Sequence, residues 1–381
     1  MTVHELSARL LLLPGDGVGP EVIAEARATL ELVGTACGFS IEFECAHIGG
    51  SAYDTHGVPI RDEDIELARQ SDAVLLGAVG GPKWDRLDRR HRPEAGLLRL
   101  RYELGLFANL RPVRVFDALV DASPLKPEVV RGVDLMIVRE LTGGLYFGKP
   151  SEVRGEPGSR DAVDTMVYSE DEITRIVELG YGMAAQRRGK LTSVDKANVL
   201  STSQLWRSVV ELSAATHPEV VTEHQLVDSC AMRLLTQPGA FDVLVMENTF
   251  GDILSDEASV LAGSLGMLPS ASVGGRRSGG GMSGTQFGVY EPIHGSAPDI
   301  AGTGCANPIG AILSSAMLLR MSLGREREAD AIEQAVNEAL LSGARTADIA
   351  GTEGACSTSE MGDTIRGALH RILGPASSTR S

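Results

Sequence analysis

Along the chain, short apolar runs rich in leucine and β-branched residues alternate with longer stretches whose apolar positions recur every three or four residues. The first kind predicts buried strands and the second amphipathic helices. Strands are expected at Arg9–Leu13, Ile41–His47, Ala73–Gly77, Val133–Arg139, Val163–Tyr168, Leu191–Val194, Val220–Leu226 and Val243–Glu247. Helices are expected at Pro20–Leu32, Asp62–Gln70, Glu94–Leu104, Glu170–Gln186, Thr202–Ala215, Ile253–Leu265, Ile309–Met321 and Glu328–Leu341. This alternation predicts an α/β chain with a substantial parallel sheet. The stretch GGRRSGGGMSGTQFG (Gly274–Gly288) reads as a loop.

The first glycine cluster, LLLPGDGVGPEV (Leu11–Val22), follows a strand and opens a helix, as a dinucleotide fingerprint does. Its glycines at 15, 17 and 19 give GxGxG, however, and Pro20 follows. The third glycine of GxGxxG is missing, and Asp16 lies where a pyrophosphate has to approach. A tight strand-to-helix turn with proline in the first helical turn accounts for the motif at least as well.

Composition narrows the classes. With 381 residues the chain has room for two domains, and 23% charged and 43% hydrophobic residues are ordinary for a globular protein. No apolar run reaches the ~18 residues of a membrane span, and the opening MTVHELSA lacks the features of a signal peptide. Five cysteines, odd in number and never spaced CxxC, read as reduced thiols. A net charge of −16 argues against nucleic acid and anionic membranes as partners. A cytoplasmic enzyme of small molecules is the expectation.

Against that acidity, RLDRRHRPEAGLLRLR (Arg86–Arg101) gathers six arginines. Pro93 and Glu94 suit a helix start. From Glu94, helical spacing reaches Leu97, Leu98 and Arg101, so one stripe carries a carboxylate, two leucines and a guanidinium. Either the leucines are core and the arginines snorkel to water, or the stripe faces a ligand. Arg111 and Arg139, both expected at the ends of strand-like runs, are cations that need an anionic partner if buried. Converging guanidinium groups suit carboxylates.

ENTFGDILSDEAS (Glu247–Ser259) sets Asp252 and Asp256 four apart on one helical face. Like charges at that spacing cost a few tenths of a kcal/mol. A bound divalent cation with a taste for oxygen ligands would reverse the penalty. Alternatively, Asp252 is a helix N-cap and Asp256 faces solvent. Asp228, at the end of another apolar run, is a candidate third ligand. Lys196 in SVDKANVL and Tyr146 in ELTGGLYFGKP follow a strand and a paired-glycine turn respectively, and alone either is as readily a surface residue. A lysine near a cation-bound hydroxyl would suit a general base.

Taken in order, LLLPGDGVGPEV, GGPKWD, RPEAGLLRLRYELGLFANLRP, RELTGGLYFG, SVDKANVL, FGDILSDEASVLAGSLGMLPSAS and EPIHGSAPDIAGTGCANP resemble the β-decarboxylating dehydrogenases, the isocitrate/isopropylmalate dehydrogenase family. The resemblance runs from about residue 10 to about residue 315, and the closing GTEGACSTSEMGDTIRGAL is similar in character. Within the family it is closest in character to members acting on 3-isopropylmalate. It implies a two-domain α/β fold with a large mixed sheet, not a Rossmann fold. Residues 1–106 and 263–381 would form a cofactor-binding domain, and 107–262 an inserted substrate, metal and dimerisation domain.

The resemblance further implies residue roles. Arg101, Arg111 and Arg139 would hold the substrate's carboxylates, and Glu94, Leu97, Leu98 and Val199 would line the pocket for its alkyl group. Asp228, Asp252 and Asp256 would bind Mg²⁺ or Mn²⁺, and Lys196 and Tyr146 would be the catalytic base and acid. Val199, Lys196 and Asp228 would come from the second subunit of a homodimer. His294, Gly295, Ser296, Ala297, Asp299, Ile300 and Asn307 would contact NAD, with the Leu13–Val18 loop beside the nicotinamide. Asp299 favours a free ribose hydroxyl over a 2′-phosphate. Arg276 and Arg277 pull toward NADP but sit in a glycine-rich loop that is costly to order. NAD is therefore expected. Isocitrate, homoisocitrate or tartrate as substrate, or a catalytically inactive regulatory subunit, are rival readings. The leucine stripe speaks against the first, and the presence of Lys196, Tyr146 and the aspartates against the second.

Overall fold

Residues 7–276, 285–351 and 354–374 are described by the computed structural model, in which most of the apolar runs become strands. In chain order, β1 (Ser7–Gly15), α1 (Gly19–Cys37), β2 (Ser40–Cys45), α2 (Gly50–His56), α3 (Asp62–Gln70), β3 (Ala73–Ala78) and α4 (Pro93–Glu103) come first. Then follow β4 (Ala108–Arg114), α5 (Pro127–Val130), β5 (Asp134–Glu140), β6 (Glu152–Arg154), β7 (Asp161–Val163) and α6 (Glu170–Ala185). Next are β8 (Lys190–Asp195), α7 (Ser201–Ala214), β9 (Val221–Leu226), α8 (Val227–Thr236), β10 (Val243–Met246) and α9 (Asn248–Ser259). The last elements are β11 (Pro269–Arg276), β12 (Gln286–Pro292), α10 (Ile309–Met321), α11 (Glu326–Leu341) and α12 (Thr358–Leu373).

Two units emerge, residues 1–106 with 263–381, and residues 107–262. In the first, strands run in the order β2-β1-β3-β12-β11, parallel except for the antiparallel β11–β12 pair. In the second the order is β4-β5-β10-β8-β9, parallel except for β4–β5. A short hairpin of β6 and β7 belongs to the second unit. Central strands β3 (AVLLGA) and β10 (VLVM) are buried at every residue, as strands covered on both faces should be. Helix α10 is buried along Ile309–Leu319 and so lies inside the first unit. No described helix is long and apolar enough to cross a membrane.

Several expected elements shift. Of Val163–Tyr168 only Val163 lies in a strand, because Tyr168 turns inward and its hydroxyl accepts the Asn248 N–H at 3.0 Å. Helix α9 starts at Asn248, not Ile253, because Glu247 caps it, accepting from Thr249 N and Phe250 N at 2.9 and 2.8 Å. Asp252 is therefore inside the helix and is not its N-cap. Arg111 lies within β4, not at a strand end, and Asp228 lies in the first turn of α8. The expected loop at Gly274–Gly288 carries the ends of β11 and β12; its residues 277–284, like the opening residues 1–6, lie outside the described residues.

The first glycine cluster makes a tight turn between β1 and α1. Gly15 takes φ +73°, and a Cβ there would meet the Ala78 carbonyl oxygen at 1.9 Å. Gly17, at φ +58°, would likewise strike the Ser296 carbonyl oxygen at 1.9 Å, and Val18 N donates to that oxygen at 2.8 Å. Close backbone approach thus explains these glycines. Asp16 is 4% exposed, and its carboxylate accepts from Gly50 N, Ser51 N and Gly80 N at 2.8, 2.7 and 2.9 Å. It is a structural anchor tying three loops of the first unit together. Burial pushes its carboxyl above the usual range, while the three N–H donors pull it back. Replacing it, as in Asp16→Ala, leaves two buried donors and one half-buried donor without this acceptor, at about 1–3 kcal/mol for each buried orphan. The expected result is a thermal midpoint lower by roughly 5 °C or more, and an unchanged midpoint would refute the anchoring role.

Candidate active site

Helix α4 presents the leucine stripe. Pro93 opens it, Glu94 sits in its first turn, and Leu100 is fully buried. Leu97 is half-buried and packs against the core cluster that includes Leu100 and Leu106. Leu98, in contrast, is 43% exposed, and Glu94 is exposed beside it. The two leucines therefore differ: one is partly core and the other faces outward. Arg101 in the last turn is ion-paired to Glu291 of β12, with its Nε buried and without a hydrogen-bond partner among the described residues.

In the second unit, the groups expected to bind anions and a cation are already in contact. Arg139, 6% exposed at the end of β5, gives Nε and Nη2 to Asn248 Oδ1 at 3.1 and 2.8 Å, and Nη1 to Asp252. Arg111 donates Nε to Asn109 Oδ1 at 2.7 Å. Its Nη1 reaches Ser255 Oγ at 2.7 Å and Asp256 Oδ1 at 2.9 Å. Tyr146 ends a single 3₁₀ turn, Gly144–Tyr146, and its hydroxyl donates to Asp252 Oδ2 at 2.8 Å. Burial, then the hydrogen bond and charge of Asp252, push that hydroxyl up to about 12. Tyr146 thus stays protonated at neutral pH and is suited to give a proton rather than take one.

Lys196 and Asp228 form a second group. Their ion pair spans 2.6 Å and holds the Asp228 carboxyl below the usual range. Behind Lys196, the buried Asp195 accepts from Ala197 N at 2.9 Å and takes Arg207 in a two-pronged pair at 2.9 Å each, which sets the turn. Val199 on the same turn is 67% exposed.

A divalent ion can be assessed from the donors. Asp252 and Asp256 lie one turn apart on α9 with side chains 38% and 68% exposed, so they offer hard oxygen ligands on one face. Among the described residues no three His, Cys, Asp or Glu side chains come together to hold a metal. The pair fits a hard cation as a partial ligand set.

The segment after β12 suits a nucleotide. His294 donates its Nδ1–H to Gly295 O at 2.9 Å, while its Nε2 is buried and has no hydrogen-bond partner among the described residues. Burial lowers the imidazole's pKa, and because Nδ1 must donate to the Gly295 carbonyl, Nε2 of the neutral ring is left as a hydrogen-bond acceptor. Ala297 takes φ +40°, a left-handed conformation unusual for alanine and the kind of strain found at ligand sites. Gly304 N donates to Glu21 Oε2 at 3.0 Å, and Asn307 Oδ1 accepts from Ile309 N at 3.0 Å at the start of α10. Gly295, Asp299 and Ile300 are exposed, and Ser296 is buried. These residues share the first unit with α4, whereas Arg111, Arg139, Tyr146, Lys196, Val199, Asp228, Asp252 and Asp256 are in the second.

Residues 9–365 match the family model described as isocitrate/isopropylmalate dehydrogenase, and the chain belongs to that family. A relative named 3-isopropylmalate dehydrogenase from Pseudomonas fluorescens is 54% identical over 373 residues, covering 96% of this chain and all of the relative. Another of that name, from Bacillus subtilis, is 54% identical and covers 96% of this chain and 98% of the relative. The crystal structure of isocitrate dehydrogenase from Methylococcus capsulatus superposes with a TM-score of 0.83 at 31% identity, covering 95% of this chain and 99% of that one. By these descriptions the family's members are dehydrogenases, a class of oxidoreductase.

The unequal burial of the two leucines is open to test. Leu97→Ala removes a side chain packed on the core and should cost about 1–3 kcal/mol, lowering the thermal midpoint. Leu98→Ala should stay within about 0.5 kcal/mol of the parent. Equal destabilisation by the two would contradict this packing.

Proposed function

We propose that this chain catalyses the NAD-dependent oxidative decarboxylation of 3-isopropylmalate to 4-methyl-2-oxopentanoate and CO₂, a cytoplasmic step of leucine biosynthesis. What carries the reading is full-length identity of 54% with relatives of that name, against 31% with an isocitrate dehydrogenase of the same fold. The leucine stripe of α4 supports it, because Leu98 offers an exposed apolar surface next to an acidic Glu94. An alkyl group suits such a wall better than the extra carboxylate of isocitrate.

In the family's assignment, Arg101, Arg111 and Arg139 take the carboxylates, and Glu94, Leu97, Leu98 and Val199 border the isopropyl group. Asp252 and Asp256, with Asp228 from a second copy in a homodimer, would hold Mg²⁺ or Mn²⁺. His294, Gly295, Ser296, Ala297, Asp299, Ile300 and Asn307 would hold NAD, and exposed Asp299 suits a ribose hydroxyl. When bound, NAD supplies the hydride acceptor and the divalent ion supplies Lewis acidity at the C2 oxygen.

Lys196, also from the second copy, takes the C2 hydroxyl proton as the C2 hydrogen departs with its electron pair. The product is a β-keto acid, whose bond from C3 to its carboxylate then breaks to release CO₂. Tyr146 gives its proton to the electron pair left on C3. Its raised pKa keeps it protonated until that step.

Lys196→Met and Tyr146→Phe should therefore fail at different steps. The lysine variant should lose oxidation of isopropylmalate by ~100-fold or more. The tyrosine variant should be impaired as well when supplied with the oxo-intermediate directly. Equal, mild losses in both would speak against these roles. Wild-type enzyme should prefer isopropylmalate to isocitrate in kcat/KM and lose activity in EDTA. Leu98→Ala should narrow that preference by roughly 10-fold or more. A wild-type preference for isocitrate would overturn the substrate assignment.

A further inference from the structure

Asn248, the first residue of α9, is 1% exposed and has no role in the assignments above. Its amide orientation follows from chemistry. A guanidinium has only donors, so Oδ1 must face Arg139, whose Nε and Nη2 lie 3.1 and 2.8 Å away. A backbone carbonyl only accepts, so Nδ2 must face Gly143 O, at 3.2 Å. Its own backbone N–H is held by the Tyr168 hydroxyl at 3.0 Å. Both ends of the side-chain amide and the backbone N–H are thus occupied, each by a buried partner.

The two ends of that amide lead to different reacting groups. On the Arg139 side, Asn248 occupies two of the three guanidinium nitrogens, which fixes the plane of the group and directs Nη1 toward Asp252. The Gly143 side leads to the turn Gly144–Tyr146, which carries the Tyr146 hydroxyl. That turn has little freedom of its own: Gly144 has φ +75°, and a Cβ on it would lie 2.5 Å from the Tyr168 hydroxyl. Gly251, one turn along α9, would strike Arg139 Cγ at 2.4 Å if it carried a Cβ, so the arginine stem is gripped as well.

We propose that Asn248 is a positioning residue that sets, through one amide, both the plane of the Arg139 guanidinium and the turn bearing Tyr146. It thereby aligns the group that binds a substrate carboxylate with the group that gives a proton. The inference rests on the proposed function for the roles of Arg139 and Tyr146. A misplacement of about 1 Å at either is enough to lower turnover substantially.

The test is steady-state kinetics on the intact enzyme. Asn248→Ala should raise KM for isopropylmalate roughly 10-fold or more and lower kcat, with KM for NAD within about 2-fold of the parent. If Asn248 acts on substrate binding through Arg139, its effect must shrink when that arginine cannot be held. In an Arg139→Lys background, the further Asn248→Ala change should therefore raise KM for isopropylmalate less than about 3-fold. A readout independent of turnover is the rise in thermal midpoint on adding isopropylmalate with metal but without NAD. That rise should be smaller in Asn248→Ala than in the parent at equal ligand concentration.

A KM for isopropylmalate within about 2-fold of the parent, or an equal rise in the Arg139→Lys background, would overturn the proposal. So would a matching rise in KM for NAD, which marks general damage. Should the alanine variant fail to fold, Asn248→Ser is read by the same ratios, since one hydroxyl cannot serve both partners. If the wild type prefers another 2-hydroxy dicarboxylate, the substrate assignment fails, and the same ratios measured on that compound still decide the role of Asn248.

Discussion

A guanidinium buried at the end of β5 governs the second unit. An unpaired cation at the depth of Arg139 would be strongly destabilising. The start of α9 is arranged to satisfy it: Asn248 takes two of its nitrogens, Asp252 takes the third, and Gly251 leaves room for its stem. Because Asp252 also accepts from Tyr146, the phenol, the arginine and the helix are held as one group. Beneath lies a second polar layer. Glu140, wholly buried, accepts from Thr142 N and Gly143 N, and the Tyr168 hydroxyl lies 3.3 Å from Glu140 and 3.4 Å from Glu247. Burial and these two carboxylates push the Tyr168 hydroxyl strongly upward, so it remains a donor. A fully bonded network of this kind permits few alternative arrangements.

Where local pattern and tertiary demand agree, the sequence was readable. Helix α3 coincides with the expected Asp62–Gln70 because acids crowd its first turn, and α10 with Ile309–Met321 because its apolar run follows Pro308. Strands β11 and β12 were missed. The first is a run of small residues and glycines (PSASVGGR) with a single β-branched residue, Val273, even though β12 pairs with it. The Val163–Tyr168 stretch misled for the opposite reason: it is rich in β-branched and apolar residues like a strand, yet Tyr168 is committed to a hydroxyl contact with α9.

For the site, the chemistry of single residues was legible and their partners were not. Arg111 and Arg139 could be read as cations in need of an anion, and the anions present in the chain are Asp256 and Asp252. That closure depends on register between strands and a helix more than a hundred residues away, which local spacing does not encode. Asn248, Glu247 and Asp195 escaped notice for a related reason. Glutamate is not a usual N-cap, and a buried carboxylate such as Asp195 is recognisable only once Arg207 is seen against it.

The pairing itself bears on how the site is loaded. Arg139 holds Asp252, Arg111 holds Asp256 and Lys196 holds Asp228, so three cations match three carboxylates one to one. Under the proposed function, every one of these side chains must change partner: the carboxylates turn to a divalent cation, and the arginines to a dicarboxylate substrate. A dication and a dianion together add no net charge, so the exchange preserves the balance already present. Either one alone does not. Arginines drawn to substrate without the cation would leave Asp252 and Asp256 facing each other and the incoming carboxylates. Like charges ~4 Å apart at an effective dielectric of ~20 repel by ~4 kcal/mol before screening. On that reading, the side chains of α9, β4 and β5 would favour cation and substrate arriving as a pair, and by linkage each would strengthen the binding of the other by the same factor.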